Sequence, residues 1–440
     1  MTIPGTPPTD AHPLQPPAAG PGRALPAPAG RPGPGPAYLI GLAAASTAMM
    51  ASLLSVGILT MPLKAAAIDA AGATTTLSIA NGFAGALSLL AYPVFGRLSD
   101  RTTWRTGRRR PYLLLGAALI AAGAVLLLRA GSTAALAAGW TVMTLGQTSA
   151  MAALGASIPD QLPAERRGLA SAVFGVAGTV GAVVGLGLGS AFSPSMTAMV
   201  LVPAGLAVVM LVVFALVLED RRLDRSARPA LAWSEVFGTF WVNPVRHTGF
   251  SLAFASRFAV FCSIAAVNAY QVIYMIRSLH VAPAEVATKA FLATLVSGLT
   301  SLAFALAMGK LSDKVGRRKP FVVVSAVVFG VGIAMVAAAS SFEEFLVAVT
   351  VVGIGQGVYL AVDFALVTHV LPDPENPAKD LGIMNLASSL PNIVVPVLAP
   401  ALLAIGASQA GQDNFSALFL AGAVTGVLGA ILVVPIRRVR

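Results

Sequence analysis

Twelve apolar runs, each of roughly twenty residues, limit what this chain can fold into. They fall at 37–61, 76–95, 111–128, 133–158, 168–192, 197–218, 248–276, 286–308, 320–339, 343–370, 381–404 and 414–436. An α-helix rising about 1.5 Å per residue needs that length to cross about 30 Å of hydrocarbon. Only a helix satisfies all its backbone hydrogen bonds within such a segment, so the pattern predicts an all-α membrane protein with twelve spans. The runs 133–158 and 343–370 exceed a single crossing, which predicts tilt or an interfacial turn. Composition agrees: 11% of residues are charged, against about 25% in a soluble domain whose surface faces water.

The formal charge of +11 invites a nucleic-acid reading, and its distribution removes it. Of 29 Lys and Arg, 24 fall in the two tails and the loops on the same side as the tails. The opposite loops hold Lys64, Arg129, Arg277 and Lys289, and Arg257 lies inside an apolar run. Positive charge gathered on one side sets orientation, so both termini are expected in the cytoplasm. Arginine outnumbers lysine, and alanine, glycine and proline are abundant. That composition suggests a GC-rich bacterial source and hence a bacterial inner membrane.

Residues 1–36 form a Pro/Ala/Gly tract that cannot bury enough apolar surface to order itself, and are read as a disordered cytoplasmic tail. No basic stretch followed by an apolar core marks it as a cleaved signal peptide. A six-helix unit is expected at 37–218, a mixed-charge linker at 219–247, a second six-helix unit at 248–436 and a basic tail at 437–440. The single cysteine, Cys262, excludes a disulfide framework or a cysteine metal cluster. No metal or other cofactor is expected.

The two units carry one repeated motif. Gly96-Arg97-Leu98-Ser99-Asp100-Arg101 followed by Gly107-Arg108-Arg109-Arg110-Pro111 comes after the second run. Gly309-Lys310-Leu311-Ser312-Asp313-Lys314 followed by Gly316-Arg317-Arg318-Lys319-Pro320 comes after the eighth, with Asp100 and Asp313 213 residues apart. Gln147 and Gln356 are 209 apart, because the first loop is four residues longer. Duplicated units of this kind place a solute site between the halves near mid-membrane.

This double motif resembles the signature of the major facilitator superfamily, and the resemblance covers residues 37–436. The longer first copy, with Thr102-Thr103-Trp104-Arg105-Thr106, looks like the glycoside–pentoside–hexuronide and sucrose–proton symporters and their bacterial relatives. The resemblance implies that Gly96, Asp100, Arg101, Gly107, Arg108, Arg109, Gly309, Asp313, Gly316, Arg317 and Arg318 form gating loops. These would latch the halves in an outward-open state and release as they rock. A bottom-up reading gives the arginines topology alone, with the aspartates pairing them or capping a helix N-terminus.

Polar groups deep in a span are costly and therefore mark function or interhelical bonding. Arg257 lies about 13 Å into the seventh run and Asp363 about 12 Å from the near end of the tenth, both on the basic side. Opposite charges at matching depth are expected partners. Asp363 is expected to take and release a proton while Arg257 tunes it; a permanent structural ion pair is the plainer account. The resemblance implies that helices 1, 4, 7 and 10 line the cavity. Helical periodicity groups Arg257 with Asn268 and Gln271, and Gln356 with Tyr359 and Asp363. It also groups Asn385 with Ser388, Ser389 and Asn392, and Asn81 with Ser88 and Tyr92. Asn81, Gln147, Asn268, Gln271, Gln356, Tyr359, Asn385 and Asn392 are the candidate solute contacts, with interhelical hydrogen bonding as the alternative.

His369 reads as interfacial, and Lys64 and Asp69 as residues snorkelling to water at the far end of the first helix. Gly181, Gly185 and Gly189 read as a packing stripe. No nucleophile, metal cluster or phosphate loop supports an enzyme or a nucleotide-driven pump. The expected protein is a monomeric secondary transporter that handles H⁺ and a small polar, sugar-like solute. Proton-driven export of a drug or metabolite is the alternative. The fifth run lacks the Gly-Pro motif usual in the superfamily's drug antiporters, and only Trp140 of the four tryptophans lies in a span to offer a sugar a stacking face.

Overall fold

A computed structural model describes residues 35–220, 222–223, 247–315, 319–369, 377–406 and 413–435. The expected proline-rich tail, most of the linker, the basic C-terminal residues, and Gly316, Arg317 and Arg318 lie outside them. Twelve helical spans run in order. They are α1 (Pro36–Ile68), α2 (Ala73–Arg101), α3 (Arg110–Arg129), α4 (Thr133–Gln161), α5 (Ala164–Ala191) and α6 (Met196–Val217). Then come α7 (Thr248–Arg277), α8 (Val286–Val315), α9 (Lys319–Ala338), α10 (Phe342–His369), α11 in two segments (Pro377–Ser389 and Pro391–Leu403), and α12 (Phe415–Val433). Among the described residues, eleven are long and apolar enough to cross a membrane. The twelfth, α4, is as long as α2 and carries no charge before Asp160, but Thr141, Thr144, Gln147, Thr148 and Ser149 lower its hydropathy. Its polar residues are mostly turned inward and buried.

Several ends differ from the apolar runs for local reasons. The first helix continues past residue 61 because a π-helical turn, Ser55–Thr60, absorbs the approach of Pro62, which then sits in the first turn of a further helical segment, Met61–Ile68. Helix α2 runs on through Gly96 to Arg101, and α8 through Gly309 to Val315, so the first half of each repeated motif is helical. Helix α11 breaks at Leu390, where Pro391 cannot donate to the preceding turn and Pro396 and Pro400 follow.

Each half is packed by the same set of helix pairs. In the first, α1 lies on α5 and α6, α4 on α2 and α3, and α3 on α6; in the second, α7, α10 and α9 make the corresponding contacts six helices later. The repeat reaches single contacts. A Cβ built on Gly123 of α3 would lie 2.5 Å from the Met143 amide nitrogen of α4, and one on Gly146 of α4 would lie 2.8 Å from that of Ile120. Gly332 and Gly355, each 209 residues later, make the same contacts with Val352 at 2.7 Å and Phe329 at 2.5 Å. Lipid is as apolar as leucine, so close backbone approach and dispersion replace the hydrophobic drive between such helices.

The halves meet through α2 against α11, α5 against α8, and the C-terminal part of α1 against α7. We call the end where α1 begins and α12 finishes proximal, and the opposite end distal. The hydrogen bonds between halves among the described residues are all distal. Ser78 Oγ and Tyr270 Oη are 2.6 Å apart, Ser190 donates to Thr288 at 3.1 Å, and Thr74 donates to Asp413 at 3.1 Å. Gly85 meets Ile393 and Gly187 meets Phe291 in the distal part of the seam, whereas a Cβ on Gly96, Gly168, Gly175 or Gly382 would meet nothing within 4 Å. The two halves form a wedge that is shut distally and open proximally.

Replacing Gly123 or Gly332 with valine is expected to cost about 2 kcal/mol by overpacking. The cost should appear as a lowered Tm in detergent for either variant, whereas Gly168→Ala should leave Tm unchanged.

Candidate functional site

Two polar centres lie on this frame, one at the proximal end of the first half and one inside the second. The proximal centre is built on the loop between α2 and α3. Arg109, only 4% exposed, commits all three guanidinium nitrogens: Nε to Asp160 at 2.7 Å, one terminal nitrogen to Asp100 at 2.7 Å, the other to Ser99 at 2.8 Å. Arg108 also pairs with Asp160. The Asp220 carboxylate accepts from the backbone amides of Arg109 and Arg110 at 2.5 and 2.7 Å, at the N-terminus of α3, where the helix dipole favours an anion. Gly107 holds a φ of +105° directly against Asp220, a conformation and a space that suit only glycine. Burial works against the Arg109 charge, but Asp160 and Asp100 outweigh it and hold its pKa above the usual arginine value.

Every one of these partners belongs to the first half or to the segment just after α6. Among the described residues, the first copy of the expected latch is therefore engaged within its own half in this proximally open state. Arg101 is half-buried, with one terminal nitrogen out of reach of any partner among the described residues. Gly96 faces open space, Gly309 lies against Ala361, and Asp313 falls in the last turns of α8. Gly316, Arg317 and Arg318 lie outside the described residues.

The inner centre joins α7, α10 and α11. Arg257 of α7 pairs with Asp363 of α10 at 3.2 Å, donates from Nε to Ser388 Oγ of α11 at 2.8 Å, and stacks over Phe261 at 5.6 Å from the ring centroid. The expected charge pair is thus formed, and Ser388 lies just before the α11 break at Leu390. Tyr359, one turn before Asp363, is 1% exposed, and its hydroxyl lies between Asp363 and Ser256 without a hydrogen bond of normal geometry. Ser256 is committed to the Gly429 carbonyl of α12 at 2.7 Å.

The remaining candidate residues divide by environment. Asn268, Asn385 and Asn392 are exposed, and Asn81 and Gln356 are half-buried. Gln271 is buried, and Gln147 is buried with both amide atoms unpaired among the described residues. Among the described residues, no hydrogen bond or ion pair joins Asn81 or Gln147 to the Arg257 centre. Lys64, expected to snorkel, instead donates to the Leu128 carbonyl at 3.0 Å, and Asp69 caps the amides of Ala71 and Gly72. Among the described residues, no cluster of three or more His, Cys, Asp or Glu could hold a metal.

A third set lies at the distal end and escaped the sequence reading. Arg277, the last residue of α7, pairs with Asp413 and donates to the carbonyls of Ala70 and Ala71 across the seam, while Asp413 accepts from Thr74. One arginine thereby ties the second half to the turn between α1 and α2. The sequence signal was present: a charged pair flanking distal loops that otherwise hold few charges.

The sequence matches the description "Major Facilitator Superfamily" over residues 40–270 and 250–440. A multidrug resistance protein MdtL of Shewanella sp. (strain ANA-3) is 34% identical over 139 residues, 32% of either chain. The chain matches its curated relatives over 22% to 34% of their length. Among solved structures, nucleoside transporter NupG superposes with a TM-score of 0.68 at 14% identity, over 92% of this chain and all of that one. A D-xylose-proton symporter gives 0.66 at 15% identity, over 92% of this chain and 98% of that one.

Arg109→Ala is expected to destabilise the folded protein by about 2 kcal/mol, because it leaves Ser99 buried without its partner and strips Asp160 of one of its two arginines. Asp100→Asn, at a carboxylate 45% exposed, should cost less than about 1 kcal/mol. Thermal unfolding in detergent checks the order.

Proposed function

This chain belongs to the major facilitator superfamily, and on that footing we propose that it is a proton-coupled symporter carrying a small polar solute by alternating access. It is a multi-pass membrane carrier and not an enzyme. The Arg257–Asp363 pair is the observation that carries the reading. A charge pair so deep in a span is costly unless it does work. It joins three helices of the half that must move. In this mechanism Asp363 takes the proton, its hold on Arg257 loosens, and α7, α10 and α11 adjust together around the break at Leu390. A proton can drive the cycle only because its binding favours one arrangement of the halves over the other. Tyr359 offers the protonated or released carboxyl an alternative partner. The exposed amides of Asn268, Asn385 and Asn392, with Gln356, would contact the solute. Asn81, Gln147 and Gln271 serve as solute contacts only in a rearranged state.

The Arg277–Asp413–Thr74 set acts as the distal gate, and the α2–α3 and α8–α9 loops as the proximal one. With the basic loops cytoplasmic, the proximal end faces inward in a bacterial inner membrane. The carrier works as a monomer on the proton gradient alone. A sugar-like solute is the favoured cargo. Proton-driven export is the second reading; the multidrug resistance relatives favour it, and an uninterrupted α5 without proline speaks against it.

Two outcomes are expected. Proteoliposomes holding an internal pH dye should acidify on addition of the right member of a panel of neutral sugars, sugar acids and lipophilic cations. Asp363→Asn should abolish uphill transport while sparing exchange, and Arg257→Ala should impair both. Wild-type uphill transport by Asp363→Asn would remove Asp363 from coupling, and cations discharging an imposed gradient would favour export. In a Cys262→Ser background, Arg277→Ala should speed thiol labelling of Ser78→Cys, which lies buried at the distal seam. Unchanged labelling would deny Arg277 a gating role.

A further inference from the structure

We propose that the solute carries a carboxylate, and that Arg257 binds it when Asp363 holds the proton. The proposal rests on the proton-coupled reading and names the solute class for the same site. The two deep arginine centres differ in how well they are satisfied. Arg109 has an acceptor on each of its three nitrogens, two of them carboxylates at 2.7 Å. Arg257 has Ser388 on Nε and Asp363 on one terminal nitrogen at 3.2 Å, longer than the roughly 2.7–2.9 Å of a charge-assisted bond. Its other terminal nitrogen has no acceptor among the described residues. Its side chain is 18% exposed, against 4% for Arg109. Phe261 covers one face of the guanidinium, so a ligand approaches along its edge, the geometry in which a carboxylate docks with two parallel bonds. The exposed amide of Asn385, one turn before the α11 break, can meet a polar body attached to that carboxylate.

Charge balance selects among solutes. Arg257 and Asp363 are the two charged residues well inside the described spans, and together they are neutral. Protonation of Asp363 leaves a lone guanidinium in a medium of low dielectric, which is unfavourable. A neutral sugar leaves that charge in place, and an organic cation adds to it. An anion cancels it. One proton on the Asp363 carboxyl and one anion on Arg257 therefore cross as a neutral set. After both leave, the re-formed ion pair returns as a neutral set as well. Proton and anion bind only together, which couples them without further machinery.

The test uses the purified full-length protein with glucuronate, glucose and tetraphenylphosphonium as probes. Glucuronate is expected to raise Tm, more at acidic than at alkaline pH for the wild type, and equally at both for Asp363→Asn. The double variant Arg257→Gln/Asp363→Asn, which keeps the centre neutral and so keeps the fold, should bind glucuronate about a hundredfold more weakly or worse. Glucuronate uptake into proteoliposomes should follow the pH gradient and ignore the membrane potential. Glucose or tetraphenylphosphonium stabilising as well as glucuronate, or no glucuronate response in Asp363→Asn, would overturn the proposal. Glucose-driven acidification lost in Asp363→Asn would overturn it while leaving proton coupling intact. Glucuronate binding lost with Arg257, in a carrier whose uphill transport ignores Asp363→Asn, would support anion recognition and sink the coupling.

Discussion

Inside hydrocarbon, burial of apolar side chains gains nothing over contact with lipid, and close backbone contact has to hold the helices together. That constraint explains why glycines in each half are set directly against the backbone of the neighbouring helix. Gly123 and Gly146 weld α3 to α4, and Gly332 and Gly355 weld α9 to α10 in the same register. Between the halves the seam is different. Its glycine contacts and hydrogen bonds are confined to the distal part, and the proximal part is open. Two rigid bodies joined by a thin seam can rock, and a seam that is polar at one end can be exchanged for a polar seam at the other.

The polar residues follow this division. The α2–α3 loop is tied down by Asp160 and Asp220 of its own half, which leaves it preassembled as a platform while the proximal side is open. The distal side is closed by Arg277, whose donors reach backbone carbonyls and one carboxylate. Bonds of that kind are individually modest and break without leaving a charge stranded in lipid, because both partners lie at the membrane edge. The Arg257–Asp363 pair is the exception in depth. It lies well inside the spans, so in the proposed mechanism it is the place where gaining a proton changes the balance most.

Much of this was legible in the sequence. Helix count, the duplicated halves and the Arg257–Asp363 partnership follow from hydropathy, spacing and depth, because lipid leaves few alternatives for twenty apolar residues or for two opposite charges. Helix ends were less legible. The first apolar run ends at residue 61, yet the π-helical turn carries α1 to Ile68; Gly96 to Arg101 looked like loop and is helix. The motif loops were legible as a repeat, but which groups they hold depends on conformation, and no spacing in the sequence encodes that. The distal set was missed because two of the three bonds of Arg277 go to backbone carbonyls, which carry no sequence signature; only the Arg277–Asp413 pair was there to be read. Gln147 and Asn81 were marked by polarity in a span, and among the described residues no hydrogen bond or ion pair brings them to the charged centre in this state.

The central claim is that the charge of Asp363 decides which end of the carrier is open. The direct measurement is the distance between spin labels at Leu169→Cys on α5 and Val315→Cys on α8, both exposed near the proximal ends of their helices, in a Cys262→Ser background. With glucuronate present, the account predicts a distance distribution that shifts between acidic and alkaline pH in the otherwise native protein and stays fixed in Asp363→Asn. A pH-dependent shift of equal size in Asp363→Asn would contradict it.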